Sequence, residues 1–189
     1  MTDRFVVSST TLSGVKSIRR KRIGDERGWL ERLFCLDDLA FAGWIWNIAQ
    51  INRTLTRRKG TVRGMHFQTA PYEEAKLITC LKGKVFDVAV DLRPSSPTYG
   101  HWHGEILSDA NDTSLLIPPG FAHGFQALSG DVEMLYFHSA PYAAAVEGGV
   151  RPDDPALSIA WPLEIAEMSD RDRNHPLLNM EDGNEEGER

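Results

Sequence analysis

An all-β sandwich or barrel is the fold class that this sequence predicts, and three observations carry the prediction. Between about residues 15 and 140 the chain is a series of short β-branched or aromatic runs, each punctuated by Gly, Pro, Asn or Asp. One of those runs, Lys84 to Leu92, alternates without a break: Phe86, Val88, Val90 and Leu92 fall on one face, and Val85, Asp87, Ala89 and Asp91 on the other. Finally, 189 residues with 41% apolar content suit one well-buried core, so residues 1–180 are expected to form a single domain.

The elements follow in chain order. Met1-Thr2-Asp3-Arg4 leads into an apolar stretch that ends at Ser8-Ser9-Thr10-Thr11, too brief for the core of a signal peptide. A short helix is expected over Leu36 to Ala42, with Asp37 and Asp38 near its start and Gly43 to end it. In the run Ala75 to Leu81, Lys76 shares a face with Ile78 and Cys80, while Leu77 and Leu81 share the other. If the Lys76 face is internal, a buried ammonium needs a partner or a function; the alternative is a lysine whose stem reaches the rim. Arg93-Pro94-Ser95-Ser96-Pro97 reads as the turn that closes the clearest strand. A later strand begins near Asp131 and places Val132, Met134, Tyr136 and His138 on one parity. The acidic tail Glu181 to Arg189 has no apolar anchor and is expected to be disordered.

Composition excludes several function classes. No run of about 18 apolar residues occurs, which predicts a soluble cytoplasmic protein with no membrane partner. A net charge of −6 gives no general attraction to nucleic acid. Cys35 and Cys80 are isolated, without the C-x-x-C spacing of a metal clip, and read as buried reduced thiols. Two basic runs, Arg19-Arg20-Lys21-Arg22 and Arg57-Arg58-Lys59, suit either a small anionic ligand or a solvated face.

Three further ionisable groups lie on strand-like segments: His66 with Gly64 and Gln68 on its parity, His123 in Pro118-Pro119-Gly120-Phe121-Ala122-His123-Gly124, and Tyr136. Each taken singly fits a core side chain with one hydrogen bond. Periodicity alone does not bring them together.

Arg63-Gly64-Met65-His66-Phe67-Gln68, Lys76-Leu77-Ile78 and Gly83 to Arg93 resemble the dTDP-4-dehydrorhamnose 3,5-epimerase family. So do Ser95 to Gly100, Ile117 to Phe125, and Asp153-Asp154-Pro155 followed by Ile159-Ala160-Trp161-Pro162. The motifs run in order from about Asp25 to Asp172 at nearly constant spacing. The resemblance implies a cupin jelly roll with a few short helices, usually a homodimer, that epimerises a nucleotide-linked 4-keto-6-deoxysugar at carbon 3, carbon 5 or both. It implies no metal and no cofactor. His66 matches the histidine that removes the proton beside the ketone, and Tyr136 the tyrosine that returns one to the opposite face. Lys76 matches the lysine near the ketone oxygen. Asp172, in Met168-Ser169-Asp170-Arg171-Asp172, matches the carboxylate that orients the base, with Asp170 as the alternative. The substrate contacts carry over to Arg27, Gln50, Asn52, Arg63, Lys76, His123, Glu147 and Arg171, and Tyr142 matches the aromatic that stacks on the base.

Chemistry gives that set a rationale of its own. Inversion needs deprotonation from one face and reprotonation from the other, so two different groups must flank the ring. A neutral imidazole is a suitable base near pH 7, a phenol with an ordinary pKa of about 10 can donate, and a fixed ammonium stabilises the enolate oxygen more than the ketone. Strict alternation puts Arg63 opposite His66, so both reach one ligand only through a bulge at Gly64. The segment after Asp25-Glu26-Arg27-Gly28 departs from the family: Leu30 and Arg32 stand where an aromatic and a glutamate are usual, with Glu31 one place early. Two rival readings remain. A metal-dependent cupin oxygenase or isomerase would draw on His101, His103 and Glu105. A catalytically silent cupin would bind a nucleotide sugar without needing both a base and an opposed acid.

Overall fold

The computed structural model describes residues 4–184. In chain order the strands are β1 (Phe5–Ser9), β2 (Lys16–Arg20), β3 (Ile23–Asp25), β4 (Gly28–Leu30), β5 (Gln50–Thr56), β6 (Val62–Gln68) and β7 (Lys76–Lys82). They continue as β8 (Lys84–Asp91), β9 (Trp102–Ser108), β10 (Thr113–Ile117), β11 (Phe121–Ala127), β12 (Val132–His138) and β13 (Glu147–Gly149). Two helices are one turn each, α1 (Leu36–Leu39) and α2 (Asp170–Arg173).

Antiparallel pairing gathers the strands into a six-stranded sheet, β1-β2-β10-β7-β12-β5, and a five-stranded sheet, β13-β6-β11-β8-β9. This is a cupin jelly roll, and the period-2 pattern explains how it is filled. On β8, Val85 and Ala89 join the core between the sheets, whereas Val88 and Val90 face outward. The outward pair is covered by Val150, Leu157 and Ile159 of the C-terminal segment. On β7, Ile78 and Cys80 face inward, and Leu77 packs outside with Leu39, Trp44 and Phe137. The Lys76 face is therefore the internal one.

The expected helix is present over Leu36–Leu39 and continues as a 3₁₀ turn over Ala40–Ala42, ending at Gly43 with φ +101°. Its left-handed conformation is the common helix stop that glycine adopts without a Cβ clash. Leu39 is its inward anchor, wholly buried beside Trp44.

Two regions bear on the sequence expectations. Residues Met180–Asn184 form a 3₁₀ turn in which Glu181 N–H bonds Asn179 Oδ1. The remainder of the acidic tail, residues 185–189, lies outside the described residues. In the basic run at Arg19 to Arg22, two side chains are held by partners within the chain. Arg20 is buried, with Nε 2.8 Å from Glu31 Oε1 and further bonds to Thr79 and Ser114, and Arg22 pairs with Asp112 and lies 4.1 Å over the Trp29 ring. Glu31, one place early relative to the family, is the counter-charge for that buried guanidinium.

Candidate active site

One open cavity of about 870 Å³ lies between the sheets, walled by β5, β7 and β12 on one side and by β6 and β11 on the other. His66, Lys76, Tyr136 and Asp172 all line it, as do Gln50, Asn52, Arg63, His123, Tyr142, Glu147 and Arg171. Arg57 and Arg58, from the second basic run, line it too.

The five-stranded wall carries a histidine–carboxylate pair. His66 Nε2 is 2.8 Å from Asp172 Oδ1, and Gly64 N–H donates to Oδ2 at 3.3 Å. Asp172 is fixed by its helix: Ser169 caps α2 and accepts the Asp172 backbone N–H at 3.1 Å. Burial by itself raises the Asp172 carboxyl, but the hydrogen bond and charge of His66 outweigh it and hold the group below its ordinary value. A carboxylate at Nε2 selects the tautomer with its proton there, which leaves the Nδ1 lone pair as the basic site. Asp170 does not make this contact; it begins the helix with its side chain exposed.

The bulge needed for Arg63 and His66 to share the cavity is present. His123 pairs with His66, but Phe125 pairs with Arg63, a one-residue slip centred on Gly64. Gly64 has φ +139°, and a Cβ there would sit 2.5 Å from Gly124 Cα. Glycine is required because two backbones touch.

The six-stranded wall carries the opposed groups. Lys76 is buried, with Nζ 3.1 Å from Glu74 Oε1 and donating to the His66 carbonyl at 3.2 Å, so the ammonium spans the sheets. Tyr136 lies edge-on to His123, ring centroids 6.0 Å apart. Burial, and then the charge of Asp87, push its phenol well above the ordinary value, so it carries its proton at neutral pH.

Around the mouth, Arg171 Nη1 lies 3.1 Å from both Glu147 oxygens, Tyr142 Oη donates to Glu147 at 2.9 Å, and Gln50 Oε1 accepts from Tyr142 N–H at 3.1 Å. This is an exposed cluster of arginine and aromatic groups suited to a diphosphate and a flat base. Arg27 is the one expected contact that the fold leaves outside the cavity of its own chain. It sits at the tip of the β3–β4 hairpin with its side chain 89% exposed and paired to Asp25, because the hairpin packs on neither sheet.

Four further titratable groups lie in or beside the cavity: Glu74 and His138 line it, and Asp87 and His175 stand behind histidines that do. His123 Nε2 is 2.8 Å from buried Asp87, Glu74 bridges Lys76 and His138, and the His175 ring lies 5.6 Å from that of His66. Parity signalled three of them, since Asp87, Glu74 and His138 share faces with Ala89, Lys76 and Tyr136. For metal binding, the described residues offer His66, Asp172 and His175, whose ligand atoms lie within 4.8 Å of one another. Arg171 Nη2, 3.0 Å from His66 Nε2, sets a positive charge where a cation would sit. The His101, His103 and Glu105 set does not assemble in the cavity: His103 meets Glu105 at 3.4 Å on β9, the edge of the five-stranded sheet, and neither lines the pocket.

The jelly-roll fold agrees with what comparison with known proteins finds. A family model described as dTDP-4-dehydrorhamnose 3,5-epimerase covers residues 9–180. A Sinorhizobium fredii protein named dTDP-4-dehydrorhamnose 3,5-epimerase is 40% identical over 93% of this chain and 91% of its own length. A dTDP-4-dehydrorhamnose 3-epimerase of Streptomyces niveus is 40% identical over 88% of this chain and 81% of its own. Among solved structures, the Legionella pneumophila 3,5-epimerase in complex with dTDP-4-keto-L-rhamnose superposes with a TM-score of 0.89 at 37% identity, covering 95% of this chain and 96% of that one. With both the fold and most of the sequence accounted for in this way, the chain belongs to the dTDP-4-dehydrorhamnose 3,5-epimerase family.

Proposed function

We propose that the chain epimerises a dTDP-linked 4-keto-6-deoxyhexose at the carbons flanking its ketone. The observation that carries this reading is that the His66–Asp172 pair and Tyr136 stand on opposite walls of one cavity, with the Lys76 ammonium between the sheets. His66 Nδ1 takes the proton from the carbon beside the ketone, and the C–H electron pair moves into an enolate whose oxygen gathers the charge. Asp172 stabilises the imidazolium that results. Lys76 lies nearest the enolate oxygen and favours it over the ketone. Tyr136 delivers its proton to the other face, and solvent exchange returns both groups to their starting states. General acid–base catalysis of this kind contributes roughly 10² to 10⁴ in rate per positioned group.

Arg63, Arg171 and His123 are assigned to the diphosphate and sugar, Tyr142 to the base, and Gln50, Asn52 and Glu147 to the nucleoside. Residues 1–180 act as one catalytic domain, without a cofactor. The working form is a homodimer in the cytoplasm, serving deoxysugar and polysaccharide assembly, in which the β3–β4 hairpin of each protomer carries Arg27 to its partner's cavity. The supporting features are the solvent-exposed Ile23, Trp29 and Leu30 on that hairpin and the exposed Ile51 and Leu55 on the edge strand β5. Among the described residues no helix is long and apolar enough to cross a membrane.

Incubation with dTDP-4-keto-6-deoxyglucose in D₂O, followed by NMR, tests the reading and counts the inverted carbons. Deuterium at carbon 3, carbon 5 or both with inverted configuration is expected. No exchange at either carbon would overturn it. Sedimentation showing a stable monomer at micromolar concentration would overturn the dimer.

A further inference from the structure

His138 ends β12 one cross-strand step from Lys76, and its ring is stacked on that of Tyr136 at 6.0 Å with an interplanar angle of 24°. It lines the cavity with its side chain only 12% exposed. Nδ1 lies 2.8 Å from Glu74 Oε2, while the other Glu74 oxygen lies 3.1 Å from the Lys76 ammonium. The remaining ring nitrogen, Nε2, is buried and has no hydrogen-bond partner among the described residues. A buried polar atom left in this state is uncommon in a folded protein and calls for a partner.

Charge fixes which kind of partner. The Glu74 carboxylate is ionised, since His138 and Lys76 together outweigh the effect of burial on it. Its single negative charge is balanced by Lys76. With Nδ1–H donated to the Glu74 carboxylate, Nε2 of this cavity-lining ring is left as the acceptor.

We propose that His138, oriented by Glu74, is a specificity-determining contact whose Nε2 accepts a hydrogen bond from a hydroxyl of the hexose. The inference rests on the nucleotide-sugar reading above and deepens it. It assigns Glu74 two tasks at one carboxylate, positioning the Lys76 ammonium and selecting the His138 tautomer. A site built around such an acceptor discriminates against ligands that lack the matching hydroxyl, because the nitrogen is then left buried and unpaired.

The test is calorimetric titration of dTDP and of dTDP-glucose, a stable hexose probe, into wild type and His138→Phe, which keeps an aromatic ring and removes both nitrogens. Equal dTDP affinity in the two proteins is expected, with dTDP-glucose bound about threefold to tenfold more weakly by the variant, the size of one hydrogen bond. Unchanged dTDP-glucose affinity, or equal weakening of both ligands, would overturn the proposal. Should wild type bind neither probe, the nucleotide-sugar reading itself fails and the inference falls with it. A second measurement needs no variant: ¹⁵N NMR of the wild-type histidine rings should show Nε2 of His138 shifting with dTDP-glucose and not with dTDP. A His138 signal indifferent to both would also overturn the assignment.

Discussion

Two cavity histidines on the five-stranded sheet, His66 on β6 and His123 on β11, each meet a carboxylate at the same distance, and their surroundings differ. His66 and Asp172 meet at 2.8 Å, as do His123 and Asp87. The His66 side chain is 23% exposed and that of His123 only 7%. Asp172 arrives on a capped C-terminal turn and spends its second oxygen on the Gly64 N–H, whereas Asp87 belongs to β8 and its second oxygen has no partner among the described residues. Pair geometry alone therefore does not identify the base. An accessible imidazole beside a fully bonded carboxylate can take up a proton and release it, while an enclosed one positions a ligand or its neighbour Tyr136.

Substitutions at the two carboxylates should separate these roles. Asp172→Asn removes the charge that stabilises the imidazolium and should lower kcat by roughly 10² to 10⁴, with the fold intact by circular dichroism. Asp87→Asn should act through His123 mainly on KM, by about tenfold or less, the size of one or two hydrogen bonds. Steady-state kinetics of both variants decide the matter, and equal losses in kcat would erase the distinction.

Acid titration sharpens the same comparison by a smaller effect. The Asp172 carboxyl lies below its ordinary value in the folded chain, so its contribution to stability is present above the unfolded carboxylate range near 4 and is lost as pH falls through the folded value. Melting curves from pH 7 to pH 3 should show wild type losing stability faster than Asp172→Asn below about pH 4, so that the gap in Tm between them narrows. A constant gap would mean that the pair contributes nothing to folding. The smallest effect is expected at His103 and Glu105, a pair that meets at 3.4 Å outside the cavity. Glu105→Gln should change turnover by less than about twofold and stability by less than about 1 kcal/mol, as for other partly solvated pairs.

Much of this is legible in the sequence. Alternation in Lys84 to Leu92 marks β8, which runs to Asp91, and Gly43 marks the end of the helical stretch Leu36–Ala42. The parity conflict between Arg63 and His66 required a bulge at Gly64, and the register slip lies there. Other features were out of reach because they depend on contacts distant in sequence. The choice between Asp172 and Asp170 needs the orientation of α2, which follows from the Ser169 cap and the bridge between Thr61 and Glu167. Glu74 and His138 are 64 residues apart and meet only because β7 and β12 are neighbours. Arg27 carries the opposite lesson: its motif is plain in the sequence, but its place depends on a hairpin that pairs with neither main sheet of its own chain.

The division of labour between the walls is the central claim, and exchange of solvent deuterium into substrate tests it most directly. His66→Ala and Tyr136→Phe would each be incubated with dTDP-4-keto-6-deoxyglucose in D₂O and followed by NMR. His66→Ala should abolish both inversion and deuterium incorporation, because no enolate forms. Tyr136→Phe should lose net inversion while retaining exchange with unchanged configuration, since His66 still removes a proton and returns a solvent-derived one to the same face. Exchange in His66→Ala at the wild-type rate would contradict the assignment and place the base on another residue.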